Sequence, residues 1–90
     1  MQLASILDMR AMRGLKSSLE QLYVKGGSCV VDGHQVVRLS TGCIQILTAF
    51  LQTMADAKFA VTLRRPSAAL LEGFEQLGLS PSLALCTLES

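Results

Sequence analysis

Two adjacent hydroxyls, Ser40 and Thr41, followed by Gly42, are the residues of this sequence whose types and placement best suit chemistry. They stand just before a run in which Cys43, Ile44, Ile46, Leu47, Phe50, Leu51 and Met54 recur at intervals of three and four, the spacing of a helix. Thr41, Gln45, Thr48 and Gln52 share the opposite stripe. The segment therefore reads as an apolar rod with one narrow polar seam that begins at the hydroxyls. Unpaired backbone N–H groups and the helix dipole favour negative charge at such a helix start. A hydroxyl there can be a plain helix cap. It can also accept a phosphoryl group, whose charge of about −1.5 to −2 would change the sign of the surface without unfolding it.

Other reactive side chains point to less. Asp8 and Asp32 could gather beside the hydroxyls for acid–base or metal chemistry, but Asp8 also reads as a helix cap and Asp32 as a turn residue before Gly33. A Cys43–His34 nucleophile pair competes with the position of Cys43 on the apolar stripe, which argues for the core. Cys29 reads as buried strand. Met9, Met12 and Met54 read as core filling, and Arg64 and Arg65 as a solvated pair at a strand end. Gly26-Gly27 and Asp32-Gly33 are turns, and no phosphate-cradling glycine loop is present. No enzyme activity, cofactor or metal is expected.

The elements that would position the hydroxyls follow from the periodicity. Leu3 to Leu7 is a plausible first strand, cut short by Asp8, which is placed to cap a helix from Met9 to about Val24 with Met9, Met12, Leu15, Leu19, Leu22 and Tyr23 inward. Lys25-Gly26-Gly27 ends it. Cys29-Val30-Val31 is a buried strand, and His34 to Leu39 a linker to the helix of Gly42 to Met54, which Ala57-Lys58 closes. Phe59 to Leu63 is a third strand and Arg64 to Ser67 a turn, with Ser67 capping a short helix from Ala68 to Leu77 that Gly78 stops. The tail, Leu79 to Ser90, reads as a small strand or docked segment. Alternating strands and helices argue for a mainly parallel sheet with helices packed on it. Loops at the carboxyl ends of the strands, where sites gather in such sheets, carry Asp8, Asp32, the 39–42 segment and Arg65 to Ser67.

Composition bounds the function classes. Ninety residues make one domain (1–90) with a modest core. Half the residues are hydrophobic and 17% are charged, the balance of a globular chain. The net charge of +1, with both signs scattered and 4% aromatic residues, gives no nucleic-acid footprint. No apolar run reaches the ~18–20 residues of a membrane span. The amino end lacks a secretory pattern, and three widely spaced cysteines suggest neither a disulfide framework nor a zinc site, so a cytoplasmic protein is expected.

Taken in order, Val30-Val31-Asp32, then Arg38-Leu39-Ser40-Thr41-Gly42, then Ile44-Gln45-Ile46-Leu47 resemble the STAS domain, the sulfate-transporter and anti-sigma-factor-antagonist family. Leu7-Asp8, Arg65-Pro66-Ser67, Leu70-Leu71 and Leu77-Gly78-Leu79 resemble flanking parts of that family, so the likeness covers about residues 3 to 79. It implies a small α/β sandwich, a mostly parallel sheet of about four strands with three to four helices. It further implies docking on a kinase that phosphorylates a hydroxyl before the second helix. Ser40 and Thr41 match the hydroxyl positions and Gly42 the glycine. Leu39 stands where the family has an aspartate, which puts phosphorylation in doubt. The implied docking surface comprises Asp8, Asp32, Arg38, Ser40, Thr41, Gly42, Gln45 and Thr48. The partner implied is an anti-sigma-type kinase or, as in single-domain bacterial members, a chemotaxis histidine kinase. The resemblance leaves open a constitutive, non-phosphorylated chemotaxis adaptor and a small soluble subunit of a lipid-transporting ATPase complex.

Overall fold

The computed structural model describes residues 1–89. Five short strands alternate with three α-helices: β1 (Ile6–Leu7), α1 (Met12–Lys25), β2 (Cys29–Asp32), β3 (Arg38–Leu39), α2 (Thr41–Asp56), β4 (Val61–Arg64), α3 (Ala68–Gln76) and β5 (Thr87–Glu89), with a 3-10 helix at Ser80–Leu85. Every strand pairing is parallel. β4 lies between β2 and β5, with Val31 opposite Leu63 and Leu63 opposite Leu88. β1 and β3 form a separate two-stranded piece, Leu7 opposite Leu39. Ahead of β1, Gln2 bridges in parallel to Asp32 of β2, through Leu3 N–H to Asp32 O at 2.8 Å and Asp32 N–H to Met1 O at 2.8 Å.

Local chemistry explains where the helices begin and end. Ser67 caps α3 by accepting from the Leu70 N–H at 3.1 Å. Gly78, at φ +69, ends it: its N–H donates to Glu75 O and the Leu79 N–H to Phe74 O, the paired bonds of a Schellman turn. α2 closes in the same way, with Lys58 at φ +62 taking the left-handed place and Phe59 N–H donating to Met54 O. The first helix starts later than its apolar spacing predicts. Asp8 Oδ1 accepts from the N–H groups of Arg10 (2.9 Å) and Ala11 (3.3 Å), which ties residues 8–11 into a turn, and Ala11 heads the helix without a side-chain cap. Met9 consequently lies in that turn, 80% exposed, instead of in the core.

One core joins both pieces of sheet. Leu3 and Leu7, Leu15 and Leu19 of α1, Val31, Val61 and Leu63, six residues of α2, and Leu70 and Phe74 of α3 are all buried. On the opposite side of β2 and β4, Val30 and Arg64 are exposed and Thr62 is half-buried, so that face of the three-stranded sheet meets solvent.

Two further expectations are corrected. The 34–39 linker ends in β3 and is anchored by Val36, which is fully buried. Tyr23, expected inward, is exposed on α1. The tail, expected as a small strand or a docked segment, supplies both: a 3-10 helix that packs on α2, and β5, whose Thr87 to Glu89 pair with Thr62 to Arg64.

Phe74 is 1% exposed and Val24 is 83% exposed. Phe74→Ala is therefore expected to cost about 3–5 kcal/mol in urea unfolding. Val24→Ser should stay within about 0.5 kcal/mol. Equal losses at the two positions would contradict this core.

Candidate functional site

The first turn of α2 is held from three sides. Ser40 leaves β3 in an extended conformation (φ −80, ψ 156), and its N–H donates to Leu7 O at 2.7 Å, which fixes the end of β3 to β1. Its hydroxyl accepts from the Cys43 N–H at 3.2 Å, and its carbonyl takes the Ile44 N–H at 3.1 Å. Ser40 is thus the N-cap of α2, its hydroxyl oxygen accepting one of the free N–H groups of the first turn. Thr41, the first residue of the helix, is exposed and takes no part in the cap. The first turn carries no acidic side chain.

The neighbouring residues close around this tip. The buried Cys43 thiol donates to Asp8 O at 3.5 Å, placing the Asp8–Ala11 turn beside it. A β-carbon on Gly42 would meet Met12 Cε at 2.7 Å and Sδ at 2.8 Å, so the missing side chain lets Met12 lie against the helix start. Arg38 is exposed on β3. Leu39 is half-buried against α3, where a β-carbon on Gly73 would stand 2.8 Å from its Cδ2. Residue 39 therefore packs against the core and supplies no acid to the tip.

Two expectations about the site need correction. The seam of Thr41, Gln45, Thr48 and Gln52 is not one wet stripe. Gln45 and Gln52 are exposed, and Gln52 donates to Asp56 at 2.9 Å, but the Thr48 hydroxyl is buried and has no hydrogen-bond partner among the described residues. Thr48 therefore offers no hydroxyl to a partner. Nor does Asp32 gather with Asp8 beside the hydroxyls. Its carboxylate belongs to a second cluster at the carboxyl ends of β2 and β4. There Oδ1 accepts from the His34 N–H at 3.0 Å and lies 2.6 Å from His34 Nδ1, while Oδ2 accepts from Arg65 at 2.5 Å. Arg65 stands at φ +48 in the left-handed region, held by that contact and by its N–H to Glu89 O. The cluster fastens a loop, and His34, engaged there, is no partner for Cys43.

The His34 backbone N–H, then the His34 ring, then Arg65 hold the Asp32 carboxyl well below the usual carboxylate range. The unfolded chain, with its carboxyl near the ordinary value of about 3.9, binds more protons in that window. Stability accordingly rises with pH there: the contribution is whole above about pH 5 and drains away as the medium is acidified past the folded-state value. Urea midpoints followed from about pH 7 to about pH 2 should fall less steeply for Asp32→Asn than for wild type. Parallel curves would show that these partners do not hold the charge.

Sequence reasoning missed a concavity that reaches this end of the molecule. Between α1 and α2 runs an open groove of about 560 Å³, lined chiefly by Met12, Leu19, Tyr23, Ile46, Ala49 and Phe50 and reaching Gly42. Only the pairing of two helices creates it. The sole hint was that Tyr23 adds a large apolar group at the margin of the α1 stripe.

The division of labour at the tip can be measured. Ser40→Ala is expected to cost about 1 kcal/mol through loss of the cap. Thr41→Ala, at an exposed position outside the cap, should change stability by no more than about 0.5 kcal/mol. The reverse order in urea unfolding would assign the cap to Thr41.

Comparison with known proteins agrees with this architecture. No curated protein sequence matches the chain. Among solved structures, the anti-sigma factor antagonist SpoIIAA in its unphosphorylated form superposes with a TM-score of 0.72 at 13% identity, over 99% of this chain and 76% of that one. That likeness shows a shared fold. The family model described as "Mlab, STAS domain" matches residues 1–86, the whole sheet up to the start of β5 and every helix, and the chain belongs to that STAS family.

Proposed function

We propose that this STAS domain is a non-enzymatic, cytoplasmic regulatory module that docks on a kinase or ATPase partner through the tip of α2, with Thr41 as the group whose modification controls docking. The observation that carries the reading is the separation of the two hydroxyls. Ser40 is half-buried and its oxygen accepts the cap hydrogen bond, whereas Thr41 is exposed one residue on. A phosphoryl group on Thr41 would add about −1.5 to −2 charges beside the free N–H groups of α2, where the helix dipole tolerates them. The fold would persist while a partner packed on a neutral hydroxyl met a dianion it could not solvate. Asp8, Arg38, Gly42 and Gln45 would frame that contact. The likeness to an anti-sigma factor antagonist supports an anti-sigma-type kinase as the partner, and a chemotaxis histidine kinase would meet the same surface.

The inward Leu39 favours a second reading in which docking is constitutive and no phosphate is transferred. A chemotaxis adaptor or a soluble subunit of a lipid-transporting ATPase would work in that way. The two readings separate by intact mass. Incubated with the kinase that co-purifies with it and ATP, the wild-type chain should gain one phosphate that Thr41→Ala does not gain, and Thr41→Glu should lose the partner in a pull-down. No added phosphate, with Thr41→Ala and wild type retaining the partner equally, would remove the switch and leave constitutive docking.

A further inference from the structure

The groove between α1 and α2 reaches Gly42, the neighbour of Thr41, and the residues around that groove restrict what can lie in it. Met12, Leu19 and Tyr23 face Ile46, Ala49 and Phe50 across an apolar floor. The lining advances in step along the two helices, from Met12 against Gly42 to Tyr23 and Thr53, so the helices start together and run side by side. At about 1.5 Å per residue, the Met12–Tyr23 span is roughly 16 Å, or three helical turns. A partner helix seated there would present anchors at i, i+4 and i+7.

Charge gives the groove a direction. Arg10, Arg13 and Lys16 are all exposed at the Thr41 end, and neither helix has an acidic residue in its first turn. Asp8 is the acid near this end, and its Oδ1 already accepts from two backbone N–H groups. Toward the other end Glu20, which lines the groove, and Asp56 stand with Lys25 and Lys58, and the charges balance.

From this we infer that the groove takes an amphipathic helix of the docking partner, about three turns long, with its apolar face down and acidic side chains at the end over Thr41. The inference deepens the proposed function and rests on it for the existence of a protein partner. It also gives the modification a lever. A phosphate on Thr41 would cancel the basic end and repel the acidic residues seated there, while the apolar half of the groove stayed unchanged.

Synthetic fluorescein-labelled peptides of about 14 residues provide the probe: one with leucines at i, i+4, i+7 and i+11 and a cluster of glutamates at one end, one with lysines in place of the glutamates, and one with serines in place of the leucines. By fluorescence anisotropy the glutamate peptide should bind wild type at least about tenfold more tightly than either other peptide. Ala49→Arg fills the groove from an exposed position. It should weaken binding at least about tenfold while far-UV circular dichroism shows the fold retained, and Arg13→Glu should narrow the preference for glutamate over lysine. Equal binding of the three peptides, no binding, or binding that Ala49→Arg leaves intact would overturn the inference. A concentration-dependent dimer abolished by Ala49→Arg would give the groove to a second copy and overturn it as well. The same variant separates this inference from the reading beneath it. A partner that co-purifies equally with wild type and Ala49→Arg removes the groove and leaves the module. A wild type that captures no kinase or ATPase removes the module, and the peptide titration still judges the groove.

Discussion

The structure depends on the need of α2 to hide most of its circumference. Cys43, Ile44, Leu47, Phe50, Leu51 and Met54 are buried, so the helix is covered by the core and, through the 3-10 helix, by the chain's last turn. A sixteen-residue helix of this composition is not stable alone in water; its stability comes from the surfaces it is packed against. Once those contacts are satisfied, one stripe of it remains free, with Thr41, Gln45, Ala49, Gln52, Thr53 and Asp56 exposed. What remains is the tip at Thr41 and a flank bordering α1. The parallel pairing of β2 with β4 follows from the same demand, because α2 is the segment that joins β3 to β4, and its apolar side must lie over the strands it connects.

Much of this was legible in the residues. Ser40 and Ser67 announced their helices by residue type and by the apolar spacing that follows, and both hydroxyls accept the expected backbone N–H. Gly78 ended α3 for the reason glycine usually does, by taking a left-handed conformation. The parallel α/β arrangement followed from alternation alone. Other features left no readable trace. β3 is two residues long, too short for any alternation, and is defined by partners in β1. Met9 sits at helical spacing from Met12, yet the Asp8 carboxylate takes the backbone donors around it, and that local competition outweighs the pattern.

The candidate site divides in the same way. That a hydroxyl would stand at the start of α2 could be read from the order Ser-Thr-Gly before an apolar run. Which hydroxyl would be free could not, because it turns on which one adopts the extended backbone of the cap. The removal of Asp32 to another cluster was equally hidden, since it depends on Arg65 approaching from a strand distant in sequence. The groove is further still from the sequence, being a property of two helices and of neither alone.

The lone bridge between Gln2 and Asp32 carries a mechanical implication. The segment ahead of β1 is laddered to β2 by that bridge and by the Met1 amino group on Val30 O, whereas the β1–β3 ribbon itself, which delivers Ser40 to its place, has no strand pairing with the three-stranded sheet among the described residues. Side-chain packing yields to small rotations more readily than a hydrogen-bonded ladder does. Load applied at the head of α2 would thus be taken up by a slight swing of the ribbon about this pivot, while the β2–β4–β5 ladder kept its register.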